Sequence, residues 1–426
     1  MCNRYKNSIV DLPSLINRKN GKLFVDGLDL DQLIEENGTP LFVFSEQQLL
    51  RQYMYILESF KAKLEDSFEL AFSIKSNPLP EIIRTFIKQN TFFEVTSLGE
   101  MKLLLKLGAS AQNIIYTNIV KPKNTIKFAL KAGIQKFAID SCSDIKRIKK
   151  IAEFEKKSIQ ALIRINPLIN LENTIFSCSG EYSKIGIPIP TKEESNSEFN
   201  EVLSICEESQ LVDLIGLHMH LGSQITNIEP YRKALCRIRN LIRYLNQKNI
   251  EIKVLDIGGG FPINYGNVEV PSVSSFAEAV KKEIKEHLPS ISIIAESGRF
   301  LTAPAGILAV SVVTIKKDPK NCKIACLDGN FYNTLPDIIT SNWMYPILKV
   351  NQEKEESIYS YRLVGSSNDT LDQYQLNSAG VPSTISSQKL IEGDKIIFLQ
   401  AGAYSLSFNC NYCLEGNPKV IFLEKK

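Results

Sequence analysis

A chain of 426 residues with 44% hydrophobic and 23% charged side chains is long enough for two packed cores, or for one large barrel with an appended domain. A net charge of +3 without a basic stripe excludes a nucleic-acid-binding face, and no run of about 18 apolar residues offers a membrane span. Nine cysteines and three histidines lack metal-ligand spacing, and Cys410 and Cys413 form a lone C-x-x-C. No metal is therefore expected. With no apolar stretch of signal-peptide length after Met1, the thiols are read as reduced and the protein as cytoplasmic.

In chain order, Lys22–Val25 reads as an isolated strand, 41–44 as a buried strand and 47–63 as a helix. Apolar runs at 71–74, 92–95, 114–117, 136–139 and 160–165 follow, with helices predicted at 79–88, 98–107, 125–132 and 143–154. Further runs lie at 214–219, 254–257 and 291–295. Short buried strands alternating with helices mean parallel βα units. About eight such units over some 250 residues fit a closed (β/α)8 TIM-like barrel better than an open sheet, here placed at residues 40–300. Beyond it, 310–315, 323–327, 359–364, 394–399 and 420–423 read as strands, and 378–388 as a loop. Residues 301–426, joined by 1–39, are read as a β-sandwich or β-barrel domain.

Four clusters carry possible chemistry where barrel strands end. Ala71-Phe72-Ser73-Ile74-Lys75 sets an amine directly after a buried strand, where desolvation could make it a nucleophile; a lysine reaching solvent fits the same pattern. Gly216-Leu217-His218-Met219-His220, leading to Ser223, holds two histidines on one face, suited to stacking on a flat ligand or to a hydrogen-bonded core pair. Gly258-Gly259-Gly260 after a strand could bring backbone amides to a phosphate, or simply make a turn. Glu296-Ser297-Gly298-Arg299 sets a carboxylate suited to a protonated ring nitrogen near a guanidinium suited to phosphate, although a local ion pair is the plainer reading.

The order of these clusters, from about residue 38 to the C-terminus, resembles the fold-type III pyridoxal-phosphate decarboxylases, which include diaminopimelate, ornithine and arginine decarboxylases. Further matches are Glu94 and Glu100 in 93–100, Arg164 in 164–167, Ser183-Lys184-Ile185-Gly186-Ile187, and Gly402-Ala403-Tyr404. The resemblance implies an alanine-racemase-like barrel binding pyridoxal 5'-phosphate, an amino-acid substrate, and a homodimer with shared sites. Lys75 would be the Schiff-base lysine, His220 would stack on the ring and Glu296 would face its nitrogen. Ser223, Gly258, Gly259, Gly260, Arg299 and Tyr404 would hold the phosphate, with Glu94, Arg164 and Gly298 completing the cofactor site. Racemases of this fold place an arginine at the ring position, so Glu296 points to decarboxylation.

Two departures bear on activity. In the family, a loop of the form Gly-Pro-x-Cys-[Asp/Glu]-x-x-Asp supplies a catalytic cysteine; here 365–372 places Asn368 there, followed by Asp369, which the resemblance assigns to the substrate's distal amine. An amide cannot replace a thiol as a proton donor, which motivates the alternative of a catalytically impaired regulatory homologue. Tyr332 and Asp337 are further expected substrate contacts. Leu335 stands where diaminopimelate decarboxylases carry an arginine for the distal carboxylate. The expected substrates are therefore a diamino acid (ornithine, lysine or diaminopimelate) or a conjugated amino acid. The stretch 402–408 tips the reading towards relatives in siderophore and antibiotic synthesis, which act on citrate-linked or carrier-linked amino acids.

Overall fold

The computed structural model describes residues 15–171, 176–190, 197–265, 269–317, 322–341, 343–350, 357–374 and 383–425. Two compact units emerge: one of residues 53–263 and 269–300, the other of residues 1–52, 264–268 and 301–426.

The first unit is a closed barrel of eight parallel strands. Phe68–Ser73, Phe92–Val95, Ile114–Tyr116, Lys136–Ile139, Ile159–Asn166, Val212–His218, Val254–Asp256 and Ser292–Ser297 pair in that order, and the last returns to the first. Each strand is apolar and short. With helices outside and side chains within, both faces must shed water, which is why the strands read as continuous apolar runs. Ala71, Ile115, Leu162, Ile215 and Ile294 fill the middle.

Local rules set the helix starts. Ser97 and Glu100 form a reciprocal capping box that opens Leu98–Lys106. Ser141 caps Cys142–Glu155, Pro80 opens Pro80–Lys88 and Asn227 caps Ile228–Gln247. The register slips between Leu214 and Gly216, where the sixth strand passes so close to the seventh that a Cβ on Gly216 would sit 2.0 Å from the Val254 carbonyl oxygen.

The second unit is a mixed sheet built on the long strand Gly306–Lys317, which pairs antiparallel with Lys323–Leu327, Lys395–Phe398 and Leu41–Ser45. Parallel pairs join Lys323–Leu327 to Tyr359–Val364 and Leu41–Ser45 to Lys419–Leu423. A small antiparallel sheet at Ile16–Lys19, Lys22–Val25 and Leu28–Asp29 packs Leu23 and Val25 into the same core as Leu41, Ile307 and Ile397. Two expectations change here. The run 41–44 is not a βα unit of the barrel; it is buried because this second sheet covers it. Part of the expected loop 378–388 is a strand, Ile385–Ser387, pairing with Tyr359–Tyr361, while 378–382 lie outside the described residues.

Gly216→Ala is expected to lower stability by about 1–3 kcal/mol, because the neighbour it meets is backbone and must shift. Urea unfolding should show a lower midpoint with an unchanged slope.

Candidate active site

Charge collects where the barrel strands end. His218 is in register with Arg164 on one side and Asp256 on the other, so the three side chains share one rung and one face. Glu296 lies two residues beyond Ile294, the partner of Asp256, and so returns to that face. Glu94 opposes Ser73 on the first strand. Arg164, His218, Asp256, Glu296 and Glu94 are all buried. Charges withdrawn from water survive only by compensating one another.

Lys75 follows the first strand in a single 3₁₀ turn, Ile74–Ser76, closed by the Asn77 N–H on the Ile74 carbonyl (2.9 Å) and the Ser76 hydroxyl on the Ser73 carbonyl (2.9 Å). Gly298 is required beside it, since a Cβ there would meet Ser76 Cβ at 2.8 Å. Lys75 Nζ donates to the Glu94 carboxylate, which also accepts the Thr117 hydroxyl. Burial alone would raise the Glu94 carboxyl. The Lys75 charge, with hydrogen bonds from Lys75, Thr117 and Ser73, holds it below the usual carboxylate range. Lys75 keeps 40% of its side chain exposed, so the amine remains reachable.

Glu296 has His218 Nε2 at 3.4 Å from Oε1. Burial pushes its carboxyl up, but the contact with His218 and the Lys75 charge bring it below the usual value. Glu296 Oε1 is buried and accepts no hydrogen bond among the described residues. His220 lies just past the strand end, on the turn. Its Nδ1 accepts the Gly259 N–H at 3.1 Å, which leaves the proton of the neutral ring on Nε2. Burial, and after it the Arg164 charge, push this imidazole down to about 3.

The glycine turn differs from expectation. The Gly258 N–H donates to Asp256 Oδ1 (2.9 Å) and the Gly259 N–H to His220, so two of the three amides assigned to a phosphate are already engaged. Glycine is needed there for other reasons. Gly258 and Gly260 have φ of 62° and 100°, and a Cβ on Gly259 would lie 2.2 Å from the Glu296 carbonyl oxygen. Ser223 and Arg299 do come together: Arg299 Nε donates to Ser223 Oγ at 3.4 Å, and the Ser223 N–H is fixed on the Phe176 carbonyl.

Asn368, Asp369, Tyr332, Asp337 and Tyr404 belong to the second unit. Asp369 accepts the hydroxyls of Tyr332 (2.8 Å) and Tyr412 (3.4 Å), whose rings lie 4.5 Å apart. A hydrogen bond from the Leu371 N–H, then that from Tyr332, keep the Asp369 carboxyl below its ordinary value. Its loop is tied by Asp372, which accepts the Ser367 N–H and hydroxyl and the Phe331 N–H. Asn368 is exposed on that loop. Asp337 is buried in the first turn of Asp337–Thr340. Leu335 is wholly buried. Tyr404 caps the short helix Ser405–Phe408 with φ 57° and packs its ring on Phe408.

Sequence reasoning passed over Thr117, Asp256 and Tyr412. Tyr412 is 43 residues from Asp369, and no spacing rule links them. Asp256 fell within the apolar run 254–257 and was given no role there. Its burial was visible only in the apolar run leading to it.

The barrel residues fit pyridoxal 5'-phosphate. An orphaned buried carboxylate oxygen awaits an N–H donor, a neutral flat imidazole lies beside it, an arginine–hydroxyl pair suits phosphate, and a lysine amine is accessible. Residues 48–303 match the family model described as the pyridoxal-binding domain of pyridoxal-dependent decarboxylases. The chain is 27% identical over 399 residues to a diaminopimelate decarboxylase of Haemophilus influenzae, covering 92% of this chain and 90% of that one. It is 28% identical over 417 residues to the diaminopimelate decarboxylase of Methanocaldococcus jannaschii, covering 96% and 91%. The crystal structure of the M. jannaschii enzyme with L-lysine superposes with a TM-score of 0.88 at 26% identity, over 97% of this chain and 93% of that one.

Two tests follow from the electrostatics. His220 should show no imidazole titration by NMR between about pH 5 and 8. Glu94, with its depressed carboxyl, contributes stability above about pH 4.3, its unfolded value, and loses it as pH falls further. Glu94→Gln should therefore melt several degrees below the native protein at neutral pH, and the gap should close below about pH 4.

Proposed function

Because the chain belongs to the pyridoxal-dependent decarboxylases, we propose that it removes the α-carboxylate of a diamino acid whose far end carries an amine and no carboxylate. The observation that carries this reading is the contrast between Asp369, an anion braced by two tyrosine hydroxyls, and Leu335, a buried hydrocarbon where a guanidinium would be needed for a distal carboxylate. Lysine and ornithine meet both conditions; diaminopimelate meets only the first. The conjugate-processing branch gains no support from the relatives reported above.

Bound at Lys75, pyridoxal 5'-phosphate supplies a sink for the electron pair left when CO2 departs. The chain's own residues do the rest. Glu94 and Thr117 hold the Lys75 amine in place. Glu296 keeps a negative charge where a protonated ring nitrogen would lie, which favours decarboxylation over racemisation. His220 offers a neutral face, and Arg299 with Ser223 would hold the phosphate, joined by the Gly260 amide. Asp369 would orient the distal ammonium. The net reaction consumes one proton and releases CO2 and a diamine, and Lys75 would help return that proton to the α-carbon.

The reading takes the working unit as a cytoplasmic homodimer in which the 365–372 loop serves the partner's site. Leu371, Phe408 and Leu414, exposed by 48%, 57% and 83% in the second unit, support an apolar contact face.

Incubation of the holoenzyme with lysine, ornithine and diaminopimelate, with CO2 measured, should show a preference of about tenfold or more for lysine or ornithine over diaminopimelate. Lys75→Ala should release no CO2 from any of them. Asp369→Asn should raise KM by about 10- to 100-fold with a smaller change in kcat, because it removes a charge-assisted contact to a part of the substrate that does not react. CO2 release by Lys75→Ala, or faster turnover of diaminopimelate, would overturn the proposal.

A further inference from the structure

Several buried polar atoms without partners gather in one place. His218 Nδ1 and Nε2, Asp256 Oδ2 and Glu296 Oε1 make no hydrogen bond among the described residues. One ligating atom from each of the three residues lies within 4.8 Å of the others. Orphaned buried polar atoms are uncommon and call for an explanation. Two charged carboxylates this close, away from water, would repel strongly, and neither orphaned oxygen would be satisfied.

We propose that Asp256 is a positioning residue that holds a proton towards Glu296, so that the floor of the site carries one negative charge, on Glu296, instead of two. This rests on the reading of Glu296 as the partner of the cofactor's ring nitrogen. The Gly258 N–H on Oδ1 at 2.9 Å orients the carboxyl and leaves Oδ2 as the oxygen to carry a hydrogen. That bond by itself favours ionisation, so burial and the neighbouring charges decide which acid holds the proton.

The neighbours divide the two acids. Glu296 has the His218 imidazole at 3.4 Å and feels the Lys75 charge. Asp256 faces Glu296 and, further off, Glu94, both of which oppose its ionisation, while Arg164 and the Gly258 N–H favour it less strongly. From the helix Ile228–Gln247 it faces Tyr231, whose buried hydroxyl brings no charge of its own. Burial and Glu296 thus raise the Asp256 carboxyl well above its usual range. His218, kept neutral by burial, can donate one N–H towards Glu296 but cannot neutralise a second anion. A proton on Asp256 Oδ2 satisfies both acids and shapes Glu296 as an acceptor for one outside donor.

The test compares the native holoenzyme with Asp256→Asn, which locks position 256 neutral while keeping its shape, and Asp256→Ala, which removes the group. A protonated carboxyl in the folded state binds a proton that the unfolded chain has released above about pH 4, so the native protein loses stability as pH rises and the amide variant does not. The melting temperature of Asp256→Asn relative to native should therefore climb from pH 5 to pH 8. Asp256→Ala should bind pyridoxal 5'-phosphate about tenfold more weakly, and Asp256→Asn should restore the affinity. A flat stability difference, or weakening by Asp256→Asn as large as by Asp256→Ala, would overturn the proposal. So would stoichiometric metal in the native protein that Asp256→Asn removes. If Asp256→Asn does not fold, infrared difference spectra of the native holoenzyme decide, since the carbonyl band of a protonated buried carboxyl must persist at neutral pH. Failure of the native chain to bind the cofactor would instead defeat the underlying reading of Glu296.

Discussion

A carboxylate as deeply buried as Glu94 stays ionised only with a cation against it, and the cation is Lys75. The remaining geometry serves that contact. The 3₁₀ turn after the first strand presents Lys75, Gly298 allows the turn to pack, and the in-register pairing of Ser73 with Glu94 brings the acid alongside. The same pair holds a primary amine on a fixed support while leaving it open to a carbonyl compound. That is the chemical requirement for a lysine that carries an aldehyde cofactor.

A second buried network complements the first. Arg164, His218 and Asp256 span three adjacent strands in one rung, with Glu296 on the next strand. The Arg164 charge is met by Glu296 while burial keeps His218 neutral, so burial is tolerated without a large net charge. The barrel thus separates two tasks: one acid steadies the amine, and another offers a single unsatisfied oxygen. Within the second unit, the Leu371 N–H and the tyrosine hydroxyls favour the charged form of Asp369, which stays partly open.

Much of this was legible in the order of residues. Apolar runs alternating with helices announced a barrel with chemistry near the strand ends; Lys75, His220 and Glu296 directly follow three of those runs and Glu94 lies within a fourth. Other features were not legible, for physical reasons. A buried strand reads alike in either sheet, so 41–44 was misassigned until its antiparallel pairing with Gly306–Lys317 was seen. Glycines that favour an anion also favour tight backbone contact, and at Gly258 and Gly259 the second demand dominates. Several motif residues prove to be scaffold: Glu100 caps a helix, and Asn166 ties down Leu168, Ser179 and Gly180.

The central claim is that Lys75 carries the cofactor, and it can be tested without knowledge of the substrate. The holoprotein would be reduced with borohydride, digested, and each lysine-containing peptide weighed. The account predicts one pyridoxyl phosphate adduct, on the peptide containing Lys75. An adduct on another lysine instead, such as Lys121, whose buried amine is paired with Asp144 at 2.6 Å, would contradict it.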